Sequence, residues 1–164
     1  MFKIQKNSKG FTFIELIIVT AIICILAAIP IQYYTRYVKR TKIQEVVHSM
    51  DAIKTAISVY YAETGTGLAA TLSLTDIRTQ LGVDVPTKYL KGMTVNSQLS
   101  DGTPSGGGVI TATFCDAGSA SPKKPIGSGV DGATLILYPT SDYKDWKWAP
   151  NPTSTLAPAY IPKN

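Results

Sequence analysis

The sequence predicts an α+β protein in which one long N-terminal helix packs on a small antiparallel β-sheet. Three observations predict this class. Residues 11–31 form a nearly unbroken apolar run, and apolar residues then recur every three or four positions to about residue 61. Beyond residue 64 the chain changes to short strand-like segments separated by loops rich in Gly, Ser, Thr and Pro.

The apolar run from Phe11 to Ile31 is long enough to cross a membrane. Its 21 residues extend about 31 Å as a helix, close to the ~30 Å hydrocarbon core of a bilayer. A secretory signal peptide has a shorter apolar run and a small-residue cleavage site after it, which this sequence lacks. A plain membrane anchor is the simpler alternative, but it does not explain Glu15, whose charge inside the run costs about 2.5–3.5 kcal/mol.

The helical pattern continues past the apolar run as an amphipathic helix with one apolar stripe. Polar residues occupy the other faces, and the helix is expected to end near Gly65. The two halves predict one helix from Phe11 to about Glu63, roughly 80 Å long at ~1.5 Å per residue. The stripe consists of Ile43, Val46 or Val47, Met50, Ile53, Ile57, and Tyr60 or Tyr61.

The remaining residues predict a short helix and four strands. The segment TDIRTQL predicts a helix capped by Thr75. Turn-rich loops then separate the apolar segments, so antiparallel strands against the long helix are expected. The predicted strands are Tyr89–Val95, Val109–Cys115, Ala133–Tyr138 and Tyr143–Trp148.

The basic net charge of +5 depends largely on the first ten residues, which hold three lysines and no acid. Without them the chain has 13 basic and 11 acidic residues, so the charge gives little support for a nucleic-acid partner, which stays an open question. A basic cluster follows the apolar run, and a smaller one lies at Lys123 and Lys124. By default the first cluster solvates the helix where it leaves the bilayer, or pairs with Glu45 and Asp51 of neighbours, and contact with anionic lipid is the alternative. The cluster comprises Arg36, Lys39, Arg40 and Lys42.

The two cysteines, Cys24 in the apolar run and Cys115 far along the chain, are expected to be unpaired thiols. His48, the single histidine, has no catalytic motif around it, so we expect no enzyme activity and no cofactor. Aspartate pairs, Asp142 with Asp145 or Asp101 with Asp131, have ligand chemistry for calcium. Turn aspartates that bond their own backbone are the commoner explanation, and no metal site is expected.

The stretch KGFTFIEL, residues 9–16, resembles the processing motif of type IV prepilins and their pseudopilin relatives. The resemblance implies a basic leader at residues 1–10, cleavage between Gly10 and Phe11 by a prepilin peptidase, and N-methylation of Phe11. It further implies a transmembrane and fibre-core helix at residues 11–35. Residues 36–164 then form a globular head that includes the second half of the helix, in the type IV pilin fold.

The same resemblance gives Glu15 and Pro30 roles in assembly. Cleavage creates an α-amine at Phe11, about one helical turn from Glu15, and the carboxylate pairs with the amine of its own or a neighbouring subunit. A buried charge is tolerated when it is paired, so the pair sets the register of insertion. Pro30 frees the carbonyl of Leu26, and helices of the family lose regular structure near such a proline in a packed filament.

The segments DYKDWKW and AYIPKN are similar to the closing region of type IVa major pilins, where a disulfide often staples a loop. Here Trp148 stands about where the first cysteine would be, and no second cysteine follows. Packing of Trp146, Trp148 and Tyr160 is therefore expected to hold this loop. Three prolines limit the freedom of its unfolded state: Pro150, Pro152 and Pro158.

The resemblance implies a structural subunit that polymerises with copies of itself into type IV pilus filaments, which serve adhesion, motility or DNA uptake. Its expected partners are the prepilin peptidase and methylase, the bacterial inner membrane before assembly, and the pilus assembly platform. The mature filament would lie at the cell surface. Two alternatives stay open: a pseudopilin of a type II secretion system, and a membrane-tethered binding module that does not polymerise.

Overall fold

A computed structural model of the chain describes residues 10–68, 70–96, 108–119, 123–140, 143–149 and 153–163. They fall into two compact units, one ending at Val38 and the other beginning at Lys39. Within these described residues the chain forms two helices, four strands and a final 3₁₀ turn. They are α1 (Phe13–Thr64), α2 (Leu74–Leu81), β1 (Leu90–Asn96), β2 (Val109–Phe114), β3 (Thr134–Pro139), β4 (Trp146–Trp148) and the turn at Pro158–Tyr160.

The first unit is the N-terminal part of α1 and exposes its apolar side chains. Every described side chain from Phe11 to Ile31 is exposed. By length and composition this helix could cross a membrane, since its most apolar 18-residue window has a mean hydropathy of 2.8 and none of it is buried. Pro30 lies inside α1, which continues through it. The single long helix predicted from residue 11 to about 63 is confirmed, with bounds at Phe13 and Thr64.

The second unit is built around the apolar stripe of α1. From Ile43 to Ile57 the stripe residues are at most 6% exposed and join the main hydrophobic core. Tyr61 is partly buried against that core, whereas Tyr60 is 38% exposed. The sequence left open which of the two tyrosines ends the apolar stripe, and the structure shows that it is Tyr61.

The four strands form one antiparallel sheet in the order β1-β2-β3-β4. Residues of the central strands pair across it, for example Ile110 with Leu137 and Ala112 with Leu135, and all four of these side chains are buried. The predicted α+β class is thereby confirmed. The first three strands lie within one residue of their predicted bounds.

The fourth strand was predicted too long, because it begins at Trp146 and not at Tyr143. Tyr143 has φ 56°, a left-handed conformation that cannot continue a strand. Its N–H donates to the carbonyl of Thr140 at 3.0 Å, which closes a turn before β4. Its side chain is only 4% exposed, and this burial offsets the backbone strain.

The predicted cap of the short helix was also wrong. The helix α2 begins at Leu74, so Thr75 lies in its first turn and Ser73 is the cap. The carboxylate of Asp76 accepts hydrogen bonds from the backbone N–H of Ser73 at 3.0 Å and from its hydroxyl at 2.6 Å. This is a Ser-x-x-Asp variant of the capping box, which fixes the start two residues earlier than expected. Gly82, with φ 67°, ends the helix.

Candidate processing and assembly site

The predicted cleavage bond lies just before α1. Gly10 and Phe11 are outside the helix, which begins at Phe13, and both residues are exposed, Phe11 to 83%. A helical bond would have to unwind before it could enter a peptidase site, whereas an exposed, non-helical bond is already accessible. The geometry of this segment is therefore suited to proteolysis between Gly10 and Phe11.

The carboxylate of Glu15 is held by Thr12 at the start of α1. One of its oxygens, Oε2, accepts hydrogen bonds from the backbone N–H of Thr12 at 2.9 Å and from the Thr12 hydroxyl at 2.5 Å. Thr12 precedes the first helical residue and Glu15 is the third residue of the helix, so the pair has the geometry of Glu15 reaching back in a capping box. Position in the first turn also favours a negative charge through the helix dipole.

Sequence reasoning missed Thr12, although the Thr-x-x-Glu spacing that signals a capping box is present in TFIE. From the sequence, only one partner was considered for Glu15, the α-amine that cleavage would create at Phe11. In the uncleaved chain the nitrogen of Phe11 belongs to the peptide bond with Gly10, so the pairing of Glu15 with that amine stays a prediction. The structure adds that the carboxylate has two donors before any cleavage.

Thr20, in the exposed part of α1, bonds to the helix itself. The hydroxyl of Thr20 donates to the carbonyls of Leu16 and Ile17, at 3.0 and 2.9 Å. An internally bonded hydroxyl is less costly in hydrocarbon than a free one. Cys24 is an exposed free thiol in this unit, and Cys115 is a buried free thiol in the other.

The aromatic residues predicted to hold the C-terminal loop lie against the second unit's core. Trp146, Trp148 and Tyr160 are partly buried and contact the main core cluster. Trp146 also meets the edge of the Tyr143 ring at 6.2 Å between ring centres, and Tyr143 stacks on Tyr61 at 4.5 Å. Burial, with a smaller contribution from Tyr61, raises the pKa of Tyr143. That Trp146, Trp148 and Tyr160 hold the C-terminal loop stays a prediction. Two of the prolines expected to restrict this loop, Pro150 and Pro152, lie outside the described residues.

A second set of contacts for the C-terminal segment was not predicted. The backbone N–H groups of Thr134 and Ile136 donate to the hydroxyls of Thr155 and Ser154, at 2.8 and 3.1 Å. The N–H of Leu156 donates to the carbonyl of Thr134 at 3.1 Å. Ser154 and Leu156 are fully buried, so residues 154–156 attach along β3. The STL triplet carried no pattern that could have signalled this pairing.

Of the residues considered for metal binding or catalysis, those that the structure describes have structural roles or are exposed. One carboxylate oxygen of Asp131 accepts hydrogen bonds from the backbone N–H groups of Ile126 and Gly127, both at 2.7 Å. His48 is exposed on α1. No group of three or more His, Cys, Asp or Glu that could hold a metal ion occurs in the described part of the chain, and Asp101 and Asp142 lie outside that part.

Asp116 forms an ion pair with Lys91 in the second unit. Its carboxylate lies 3.0 Å from the Lys91 ammonium and also accepts a hydrogen bond from the Ser119 hydroxyl at 3.0 Å. The hydrogen bond from Lys91, followed by the one from Ser119, lowers the pKa of Asp116. Both charged side chains are partly exposed, at 58% and 40%, so this is a surface ion pair.

Two protein families match this chain, and each match falls within one of the two units. The family described as the prokaryotic N-terminal methylation motif matches residues 5–29, and the family described as pilin (bacterial filament) matches residues 39–164. A fimbrial protein of Pseudomonas aeruginosa is 35% identical over 173 aligned positions, covering 98% of this chain and all of the relative. Fimbrial protein EcpC of Eikenella corrodens is 33% identical over 88% of this chain and 83% of the relative. Type IV major pilin protein PilE1 of Neisseria gonorrhoeae is 30% identical over 85% and 73%.

Proposed function

Because the chain belongs to the pilin family and is a structural pilus subunit, we propose that it is the major subunit of a type IV pilus. The observation that carries the proposal is the likeness to a type IV major pilin protein and a fimbrial protein over at least 85% of the chain, because pseudopilins share the motif at residues 10–15. The arrangement at residues 10–15 supports the processing step that such a subunit undergoes. There an exposed Gly-Phe bond immediately precedes a helix whose first turn holds a bonded carboxylate inside an apolar run. A pilus subunit has no need of a catalytic group, and its family is one of structural proteins.

The precursor is inserted in the bacterial inner membrane by the apolar part of α1 and is cleaved there between Gly10 and Phe11. The match to the methylation motif covers both the bond and Glu15, and the exposed apolar side chains support a membrane-anchored state. A prepilin peptidase removes the leader and the new Phe11 amine is methylated. The assembly platform then moves the subunit into a filament that extends from the cell surface.

Within the filament, Glu15 pairs with the Phe11 amine of its own or a neighbouring subunit. The hydrogen bonds from Thr12 support this proposal, since they keep the carboxylate at the end of the helix where the new amine appears. Burying a lone charge costs several kcal/mol, whereas a paired and hydrogen-bonded charge is tolerated. A subunit inserted at the wrong height would leave both charges unpaired, so the pair selects the correct register.

Replacement of the carboxylate tests the assembly role. Glu15→Leu makes the apolar run more apolar, so membrane insertion should be kept, but the orphaned amine should cost several kcal/mol per subunit in the filament. The expected result is a normal amount of subunit with few or no fibres, measured as sheared surface fibre relative to total cellular subunit. Glu63→Leu, which changes an exposed glutamate near the other end of the same helix, is the matched control and should assemble.

A wild-type yield of fibre from the Glu15→Leu variant would refute the pairing. Gly10→Val separates processing from assembly, because it should block cleavage and leave an uncut precursor in the membrane. Intact-mass spectrometry of the fibre should give a chain that begins at a methylated Phe11. Long surface fibres would also separate a major pilin from a pseudopilin and from a membrane-tethered module that does not polymerise. Adhesion, motility and DNA uptake are then tested as properties of the fibre.

A further inference from the structure

Six lysines from three separate stretches of the chain come together on the second unit, and we call this surface the lysine face. The ammonium groups of Lys42 and Lys88 lie 5.5 and 5.1 Å from the centre of the Tyr89 ring. The backbone N–H of Lys124 donates to the carbonyl of Lys88 at 2.8 Å, and these contacts join α1, the two residues before β1 and the loop before β3. The lysine face consists of Lys39, Lys42, Lys88, Lys91, Lys123 and Lys124.

Two hydrogen bonds complete the lysine face without neutralising it. The ammonium of Lys123 donates to the carbonyl of Lys91 at 2.8 Å, and that of Lys39 donates to the carbonyl of Ser128 at 3.0 Å. Because a carbonyl oxygen is neutral, each bond fixes the position of a positive charge and leaves the charge in place. All six lysines are partly or fully exposed.

The segments around the lysine face carry a surplus of positive charge that the rest of the second unit does not. The segments that form the lysine face, residues 39–45, 88–91, 115–119 and 123–132, hold seven cations and three acids, a surplus of four positive charges. Of the three acids, Asp116 is paired with Lys91, and Asp131 bonds the backbone of its own loop. In the rest of residues 39–164, five cations stand against seven acids.

The chemistry of the lysine face fits a surface of many anionic groups. Lysine is a hydrated point charge and does not form the fixed two-point contacts of arginine. The ring of Tyr89 is only 8% exposed, so it offers no platform on which a nucleic-acid base could stack. Anionic lipid headgroups match this diffuse, non-directional pattern, since basic clusters beside a membrane span are attracted to them.

We propose that the lysine face contacts the anionic phospholipid headgroups of the membrane that holds the precursor. This rests on the proposed membrane-anchored precursor. Lys39 follows Ile31 by eight residues, a reach of at most about 28 Å even when fully extended. The contact is thus made by a chain already tethered to the same bilayer, which raises its effective concentration there. It holds the precursor's second unit on the membrane until the subunit is taken into the filament.

The test uses the full chain in lipid nanodiscs, made either of phosphatidylcholine alone or with about 30 mol% phosphatidylglycerol as the anionic lipid. Acetylation by a neutral amine reagent is followed for each lysine by mass spectrometry. The six lysines should react at least about threefold more slowly with the anionic lipid. The difference should disappear at about 0.5 M NaCl, where the Debye length is about 4 Å. Lys54 and Lys147, outside the lysine face, should react alike in both lipids.

A charge-reversal pair sharpens the test. Lys88→Glu combined with Lys124→Glu should remove the slowing at the four remaining lysines of the face. Lys144→Glu combined with Lys147→Glu changes the charge equally outside it and should preserve the slowing. If the first pair misfolds, the comparison of the two lipids with the unaltered chain decides alone.

Equal reaction rates in the two lipids would overturn the proposal. Stronger slowing by added duplex DNA in neutral nanodiscs than by the anionic lipid would assign the lysine face to nucleic acid and would also overturn it. A chain that fails to stay in nanodiscs on gel filtration would contradict the membrane-anchored precursor itself. A chain that stays in them without slowed lysines would contradict only the lipid contact.

Discussion

Replacing Asp131 with alanine removes the carboxylate that closes the loop between β2 and β3. That carboxylate accepts two backbone hydrogen bonds at 2.7 Å, from Ile126 and Gly127. Ile126 is 8% exposed, so water can replace the lost partner only in part. Hydrogen bonds to a charged group contribute about 1.5–3 kcal/mol, and with partial replacement by water we expect Asp131→Ala to destabilise the second unit by about 2 kcal/mol.

The isosteric variant Asp131→Asn separates charge from shape. Its side-chain oxygen still accepts from the two N–H groups, but without the negative charge, so about half of the loss is expected, ~1 kcal/mol. For a unit of this size each kcal/mol lowers the melting temperature by about 4 °C. The expected shifts are therefore about 8 °C for alanine and about 4 °C for asparagine.

Tryptophan fluorescence of the full chain in detergent measures these shifts, because both tryptophans of the sequence lie in β4 and report on the second unit. Asp51→Ala, which removes an exposed negative charge from α1, is the matched control and should shift the melting temperature by less than about 2 °C. Melting temperatures of both Asp131 variants within that same margin would show that the two hydrogen bonds do not stabilise the loop.

Three further predictions concern the core, the pH dependence and a strained glycine. Ile53→Ala should cost about 2–5 kcal/mol in urea unfolding, because Ile53 is fully buried, whereas Val59→Ala, at a site 51% exposed, should cost less than about 1 kcal/mol. The lowered pKa of Asp116 means that its stabilisation is present above the pKa of the unfolded chain and is lost as the pH falls through the folded pKa. The melting temperature of Asp116→Asn should accordingly lie below that of the wild type at pH 7 and approach it in acid; a constant gap would contradict the ion pair with Lys91. Gly108→Ala should destabilise the second unit by about 1–3 kcal/mol and lower its melting temperature by several degrees. The reason is that φ is +100° at this residue and the new Cβ would lie 3.0 Å from the Tyr143 ring. An unchanged melting temperature would show that the site can relax.

The helix, the apolar run and the buried stripe could be predicted because each depends on residues that are close together in the sequence. A period of three to four positions identifies one face of a helix without knowledge of its partner, and the residues chosen in this way from Ile43 to Ile57 are all in the core. The processing motif is also continuous in sequence, as the match to residues 5–29 shows. Even the missed contact of Thr12 with Glu15 had its local Thr-x-x-Glu signal.

Other features were decided only by the tertiary structure, because they join residues that are far apart in the chain. The lysine face unites two clusters some eighty residues apart, through contacts with Tyr89 and Lys88. The attachment of residues 154–156 to β3 depends on which strand lies beside them. Tyr143 adopts a backbone conformation that its own side chain disfavours, and its burial against Tyr61 and Trp146 offsets that strain. Sequence alone determined the local helical order and the apolar surface, since these depend on short-range periodicity, whereas long-range packing determined where the charges and the strained backbone lie.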